Sequence, residues 1–222
     1  KPELSYSEFG VRNRISGVAS YRYDWTENNK TTIGIFFEIA EGNRFTGAGG
    51  NRYSYTYAGD LNGDGYSNDL IYIPKNQSEI NFDPSGGSAN AQWAALNAFI
   101  EQDDYLKANR GKIAERFGAL NPWFSNIDLK ILHELSFMVG TQKHAFQISA
   151  DILNFGNLIN SDWGVRKVAS SSATSPLQFT GFDAVTKVPL FKFNSALKST
   201  FVDDLGLSSR WQMQIGVRYL FN

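Results

Sequence analysis

Trp211-Gln-Met-Gln-Ile-Gly-Val-Arg-Tyr-Leu-Phe-Asn222 decides how this chain is read. Its odd positions are Trp211, Met213, Ile215, Val217, Tyr219 and Phe221, and its even positions are Gln212, Gln214, Gly216, Arg218, Leu220 and Asn222. Side chains alternate across a strand, so one face is apolar with aromatics at both ends and the other is largely polar. That pattern suits a strand with lipid on one side and water or a plug on the other. A half-buried strand of a soluble sandwich also alternates, but it is usually shorter.

Working outward, the same alternation recurs. Ile15 to Trp25 sets Ile15, Gly17, Ala19, Tyr21, Tyr23 and Trp25 against Ser16, Val18, Ser20, Arg22 and Asp24. After the polar turn Thr26–Lys30, Ile33, Ile35, Phe37 and Ile39 share one face. Further on, Ile127, Leu129, Ile131, Leu135, Phe137 and Val139 oppose Asp128, Lys130, Glu134 and Ser136, with His133 interrupting the apolar face. The short turn Gly140–Lys143 leads to Phe146, Ile148, Ala150 and Ile152, opposite Gln147, Ser149 and Asp151.

The expected spanning strands are therefore about 15–25, 31–40, 123–139, 144–154 and 211–221. Between them lie two long excursions, about 41–121 and 155–209. The first is rich in Gly, Asn, Asp, Ser and Tyr and carries one helical segment, about Ala89 to Arg110. In the second, Trp163–Ala169, Leu177–Phe182 and Val188–Phe193 are expected to extend strands above the membrane. A structureless connection this long is improbable in a compact soluble domain but ordinary for an extracellular barrel loop. Short and long connections alternate strictly, which places both excursions on one side. The fold class expected is all-β: C-terminal antiparallel strands of a large transmembrane β-barrel, with long extracellular loops, one carrying a helix. About five strands are too few to close a barrel, since single-chain barrels start at about 8.

Composition agrees. Among 222 residues there are 17 Phe, 10 Tyr and 5 Trp, yet the mean hydropathy is -0.32. Lumen and loop residues offset a lipid face in such proteins. No run of about 18 apolar residues offers a transmembrane helix. Lys+Arg 21 against Asp+Glu 22 gives a net charge of -1 and no electrostatic case for nucleic acid. There is no cysteine, hence no disulfide framework and no thiolate metal site. The chain opens on Lys1-Pro-Glu-Leu4 without a signal peptide, so the expectation is a C-terminal piece of a longer protein.

The sharpest local motif is Asp60-Leu-Asn62-Gly-Asp64-Gly-Tyr66-Ser-Asn68-Asp69. Oxygen ligands at alternate residues followed by glycine open calcium loops, because a hard cation needs several oxygens at one centre. Ile71 stands at the twelfth loop position, where a bidentate acid belongs, and Asp69 comes two residues early. A turn-rich loop whose glycines supply left-handed conformations explains the same residues.

Trp93, Leu96, Phe99 and Ile100 fall at helical spacing, and packing of a loop helix on its neighbours is the expected use. Tyr53, Tyr55 and Tyr57, with Arg44, Asn51 and Arg52, read either as a strand extension or as an outer vestibule that stacks on a ligand. His133 and His144 flank one turn but lack a third metal ligand. Glu101, Asp103 and Asp104 read as a solvated acidic face. There is no Gly-x-Ser-x-Gly, no Gly-x-x-x-x-Gly-Lys-Ser/Thr and no His-Glu-x-x-His, so no enzyme is expected.

Several stretches carry a resemblance. Gln214-x-Gly216-x-x-Tyr219-x-Phe221 resembles the C-terminal signal by which the barrel assembly machinery recognises its substrates, with Asn222 as a one-residue overhang. Gly59–Pro74, Tyr105–Arg116, Pro122–Asp128, Asp151–Gly164 and Ser209–Phe221 together resemble TonB-dependent outer-membrane receptors, Oar-like and SusC-related, of the Bacteroidota type. The resemblance implies a large barrel in the outer membrane with an N-terminal plug, driven through TonB, importing a peptide, glycan or metal chelate. It implies outer-membrane lipid and a surface lipoprotein as further partners, and no cofactor is required; calcium in an outer loop is the reading of the Asp60–Asp69 motif, not of the resemblance. Arg22, Lys130, Glu134, Gln147, Asp151, Gln214 and Arg218 would face the lumen. The alternatives are a passive porin or structural outer-membrane barrel without a plug, and a secreted calcium-binding β-sandwich adhesion domain.

Overall fold

The computed structural model describes residues 4–45 and 53–221. The chain is mainly β with antiparallel sheets, and it divides into two compact units. One comprises Arg12–Glu41, Pro122–Lys167 and Asp203–Asn222; the other comprises Lys1–Val11, Gly42–Asn121 and Val168–Val202.

The first unit is built on five long strands, Arg14–Thr26, Asn29–Ala40, Phe124–Val139, Gln142–Leu153 and Gln212–Phe221. They lie side by side in chain order, each antiparallel to the next. Two connections are two-residue turns, Glu27-Asn28 and Gly140-Thr141. The other two both pass through the second unit, the later one after first forming the short Phe155–Ile159 helix.

Register turns the period-2 pattern of each strand into continuous rows. Tyr21, Ile33, Ile131, Ala150 and Ile215 form one row across all five strands. Ala19, Ile35, Leu129, Ile152 and Met213 form the next. A one-residue slip anywhere would move a strand's whole apolar set to the other face, so matched rows mean a strongly specified register.

This apolar face is uncovered. Tyr21 is 67% exposed, Ile215 66% and Val217 73%. Among the described residues of this unit, Ala40 and Ala145 are the buried apolar side chains.

The second unit holds the core. Residues of the two long excursions form a packed cluster that includes Tyr55, Tyr57, Ile73, Leu96, Phe99, Leu106, Leu177, Phe191 and Phe193. Its helices are Ala89–Glu101 and Asp104–Ala108. The helix expected to run to Arg110 is thus broken, because Asp103 leaves helical geometry to cap the second segment. Leu96, Phe99 and Ile100 are buried as expected of a packing face. Leu177–Phe182 pairs antiparallel with Pro189–Phe193 and parallel with Tyr57–Ala58, in a sheet separate from the five long strands. These strands do not extend the five, contrary to the sequence expectation. Their partner is a tyrosine segment more than a hundred residues away, which no local pattern announces.

Candidate functional site

The polar face of the five-stranded sheet carries Arg22, Lys130, Glu134, Gln147, Asp151, Gln214 and Arg218, all opposite the Ile131 row by register. Asp24, Lys30, Glu134, Gln147 and Arg218 form one row across the five strands. Several of these charges are paired locally. Lys130 Nζ meets Asp151 Oδ1 at 2.5 Å, Arg22 Nε meets Asp24 Oδ1 at 2.8 Å, and Arg14 Nε meets Glu38 Oε1 at 2.6 Å. Gln147 Nε2 donates to Glu134 Oε2 at 2.7 Å. These pairs neutralise part of the charge on the hydrophilic wall. Such exposed pairs contribute little to stability, about 0–1 kcal/mol each.

Between them Ser149 faces Gly216, and a Cβ on Gly216 would lie 2.8 Å from Ser149 Oγ. The small pair leaves a concavity of about 300 Å³ rimmed by Lys130, Asp151, Gln214 and Arg218.

At the short-turn end of the apolar face the aromatics gather. Tyr23 and Trp25 meet edge to face at 4.6 Å. Phe137 stacks on His144, His144 on Tyr219, and Phe146 lies 4.9 Å from Tyr219. Their polar atoms find one another. Trp25 Nε1 donates to Thr31 Oγ1 (2.8 Å), which contacts His133 Nδ1 (2.9 Å), and Tyr219 OH lies 2.6 Å from His144 Nδ1. Thr31 therefore resolves the interruption at His133. Register sets His133 opposite Ile148 and His144 opposite Phe137, four residues apart on the strand, so the turn does not bring the two histidines together. Of the assembly-signal residues, Tyr219 and Phe221 lie on this aromatic face and Gln214 and Gly216 on the polar one. Asn222 lies outside the described residues.

The Asp60–Asp69 loop is closed by its own amides. Asp60 Oδ1 accepts from Gly63 N (2.7 Å) and Asp64 N (3.2 Å), and Oδ2 accepts from Gly65 N (2.8 Å). The Gly65 amide foremost, with its neighbours, holds the Asp60 carboxyl below its ordinary pKa. Gly63 and Gly65 have φ of 78° and 89°, the left-handed conformation that aims these N–H groups at Asp60. Asp69 Oδ2 accepts from Leu61 N (2.8 Å) and its Oδ1 from Asn62 Nδ2 (2.7 Å), while Asp64 Oδ1 accepts from Tyr66 N. Tyr66 is exposed; Asn68 is half-buried. Among the described residues no group of three or more His, Cys, Asp or Glu side chains is arranged to hold a metal ion.

Of the two readings of the tyrosines, the vestibule is not supported at Tyr55 and Tyr57, which are 0% and 6% exposed inside the core, with Tyr57 in the short strand Tyr57–Ala58. Arg44 is engaged with the Tyr6 ring at 3.8 Å and with the Phe117 carbonyl at 2.6 Å. Asn51 and Arg52 lie outside the described residues. Nor is Asp103 part of a solvated face, being 2% exposed. Its Oδ2 accepts from Tyr55 OH (2.5 Å) and Thr200 Oγ1 (2.7 Å), and its Oδ1 from Leu106 N (2.9 Å). Burial first, and the Asp103 charge second, push the Tyr55 hydroxyl well above its ordinary pKa. The legible signal was the N-cap one, an aspartate just before Asp104-Tyr105-Leu106.

No family model, no curated protein and no solved structure matches this chain.

Proposed function

We propose that this chain forms the C-terminal wall of a transmembrane β-barrel in an outer membrane, in a receptor of the TonB-dependent kind that imports a ligand. The observation that carries the reading is the uncovered apolar face of five antiparallel strands, set against a hydrophilic opposite face. A sandwich needs a second sheet about 10 Å away to bury such a face. Lipid supplies the same burial with no second sheet.

Dimensions support it. Trp211 to Phe221 spans about 34 Å of extended strand. At a tilt of about 40° that is about 26 Å of height, against an apolar band of about 25 Å in outer-membrane barrels. The aromatic cluster around Tyr219 then lies at one interface, with Trp211 and the exposed Trp123 towards the other. The receptor class, the plug and the TonB drive rest on the sequence resemblance alone.

The test is to isolate the native protein from membranes and sequence the intact chain upstream of Lys1 by mass spectrometry. A plug domain and a TonB box establish the receptor reading, and a barrel without either leaves a passive porin. A chain that stays monomeric and folded without detergent overturns the membrane reading itself.

A further inference from the structure

We infer that the two long connections, Gly42–Asn121 and Val168–Val202, are one cooperative folding body, locked at the buried Asp103 carboxylate, so that neither opens without the other. This goes beyond the membrane reading and does not depend on it.

The seam between them is made of backbone as well as side chains. Thr56 N donates to Thr174 O at 3.0 Å, Asp83 N to Phe191 O at 2.8 Å and Phe191 N to Asn81 O at 2.9 Å. Phe193 N donates to Gln92 Oε1 at 3.2 Å. Tyr57 stacks on Phe191 at 4.8 Å, and Phe99 packs on Phe193 at 5.7 Å.

Val168–Val202 is shorter than the roughly 40 residues below which a chain seldom holds a core alone. Its apolar side chains Leu177, Phe191 and Phe193 are buried in a core supplied mostly by the other connection. Removing them would expose Tyr57 and Phe99 in turn.

The lock is electrostatic. Asp103 keeps its carboxylate out of water with three donors, and one of them, Thr200, comes from the second connection. Gln102 fastens the same hydroxyl, donating from Nε2 to Thr200 Oγ1 at 2.9 Å. A buried carboxylate that loses a donor is strongly disfavoured, so opening the second connection destabilises the first. Contact made by any partner with one connection is therefore felt by the other.

Hydrogen exchange in a denaturant series, on the whole protein in detergent, tests this. Amides of the Ala89–Glu101 helix and of the Leu177–Phe182/Pro189–Phe193 hairpin should follow one opening curve with one slope. Thr200→Val, which removes the hydroxyl and keeps the shape, should accelerate exchange in both by the same factor, about tenfold or more. A hairpin that opens at lower denaturant than the helix overturns the proposal. So does a Thr200→Val effect confined to one connection, or absent from both.

Discussion

Asp83 shows how a single side chain shapes local structure in the packed unit. It caps the turn Pro84–Gly86, accepting from Ser85 N at 2.8 Å and Ser85 Oγ at 2.5 Å. Those two bonds, the hydroxyl's foremost, with smaller help from the Thr180 hydroxyl and the Lys192 charge, lower its carboxyl from an ordinary 3.8 to about 2. A depressed carboxylate pKa adds stability that is complete above the unfolded value and lost as pH falls through the folded one. The amides of Ser85 to Gly87 should therefore lose exchange protection between about pH 4 and pH 2. Asp83→Asn keeps an acceptor without the titration and should flatten that dependence. The cap is legible in the sequence, because Asp-Pro-Ser-Gly is turn chemistry. Asp103 was harder to read: its neighbours Glu101 and Asp104 are exposed, and what buries it comes from Tyr55 and Thr200, far away in the chain.

At the scale of the element, the five long strands were legible because period 2 is a local signal that survives without knowledge of neighbours. The two faces make opposite predictions about charge. Ile215→Arg on the apolar face should cost about 2–4 kcal/mol of folding in a bilayer, whereas Gln214→Arg beside it should be nearly neutral. Refolding into lipid vesicles, with each variant titrated in denaturant, gives both numbers. Equal costs would mean that the Ile215 face does not meet lipid. Gly17 makes a finer point. Its register partner Phe37 lies over it, so that an added Cβ would stand 2.6 Å from the ring. Gly17→Val should displace that ring and destabilise the hairpin by about 1–3 kcal/mol, by the same titration. Alternation marks Gly17 as outward-facing, but nothing local announces the ring that covers it.

For the whole molecule, sequence patterning separates a strand-rich part from an irregular part and says little about the second. Its core comes from Tyr55, Tyr57, Phe99, Leu177 and Phe191, scattered over well over a hundred residues and joined by a parallel pairing that no hairpin signal marks. A fold dominated by such non-local contacts hides from any window of sequence. The five-stranded sheet carries one further consequence, and it is a matter of parity. Its outermost strands, Arg14–Thr26 and Gln212–Phe221, run in the same direction, as the ends of an odd antiparallel set must. A ring in which every neighbour is antiparallel closes only on an even count. In the proposed barrel, the strands that close the ring onto these five would be odd in number, at least three to reach the smallest barrels of about 8. In that barrel, the strand paired to the free edge of Gln212–Phe221 would start at the end where Phe221 finishes, beside the short turns.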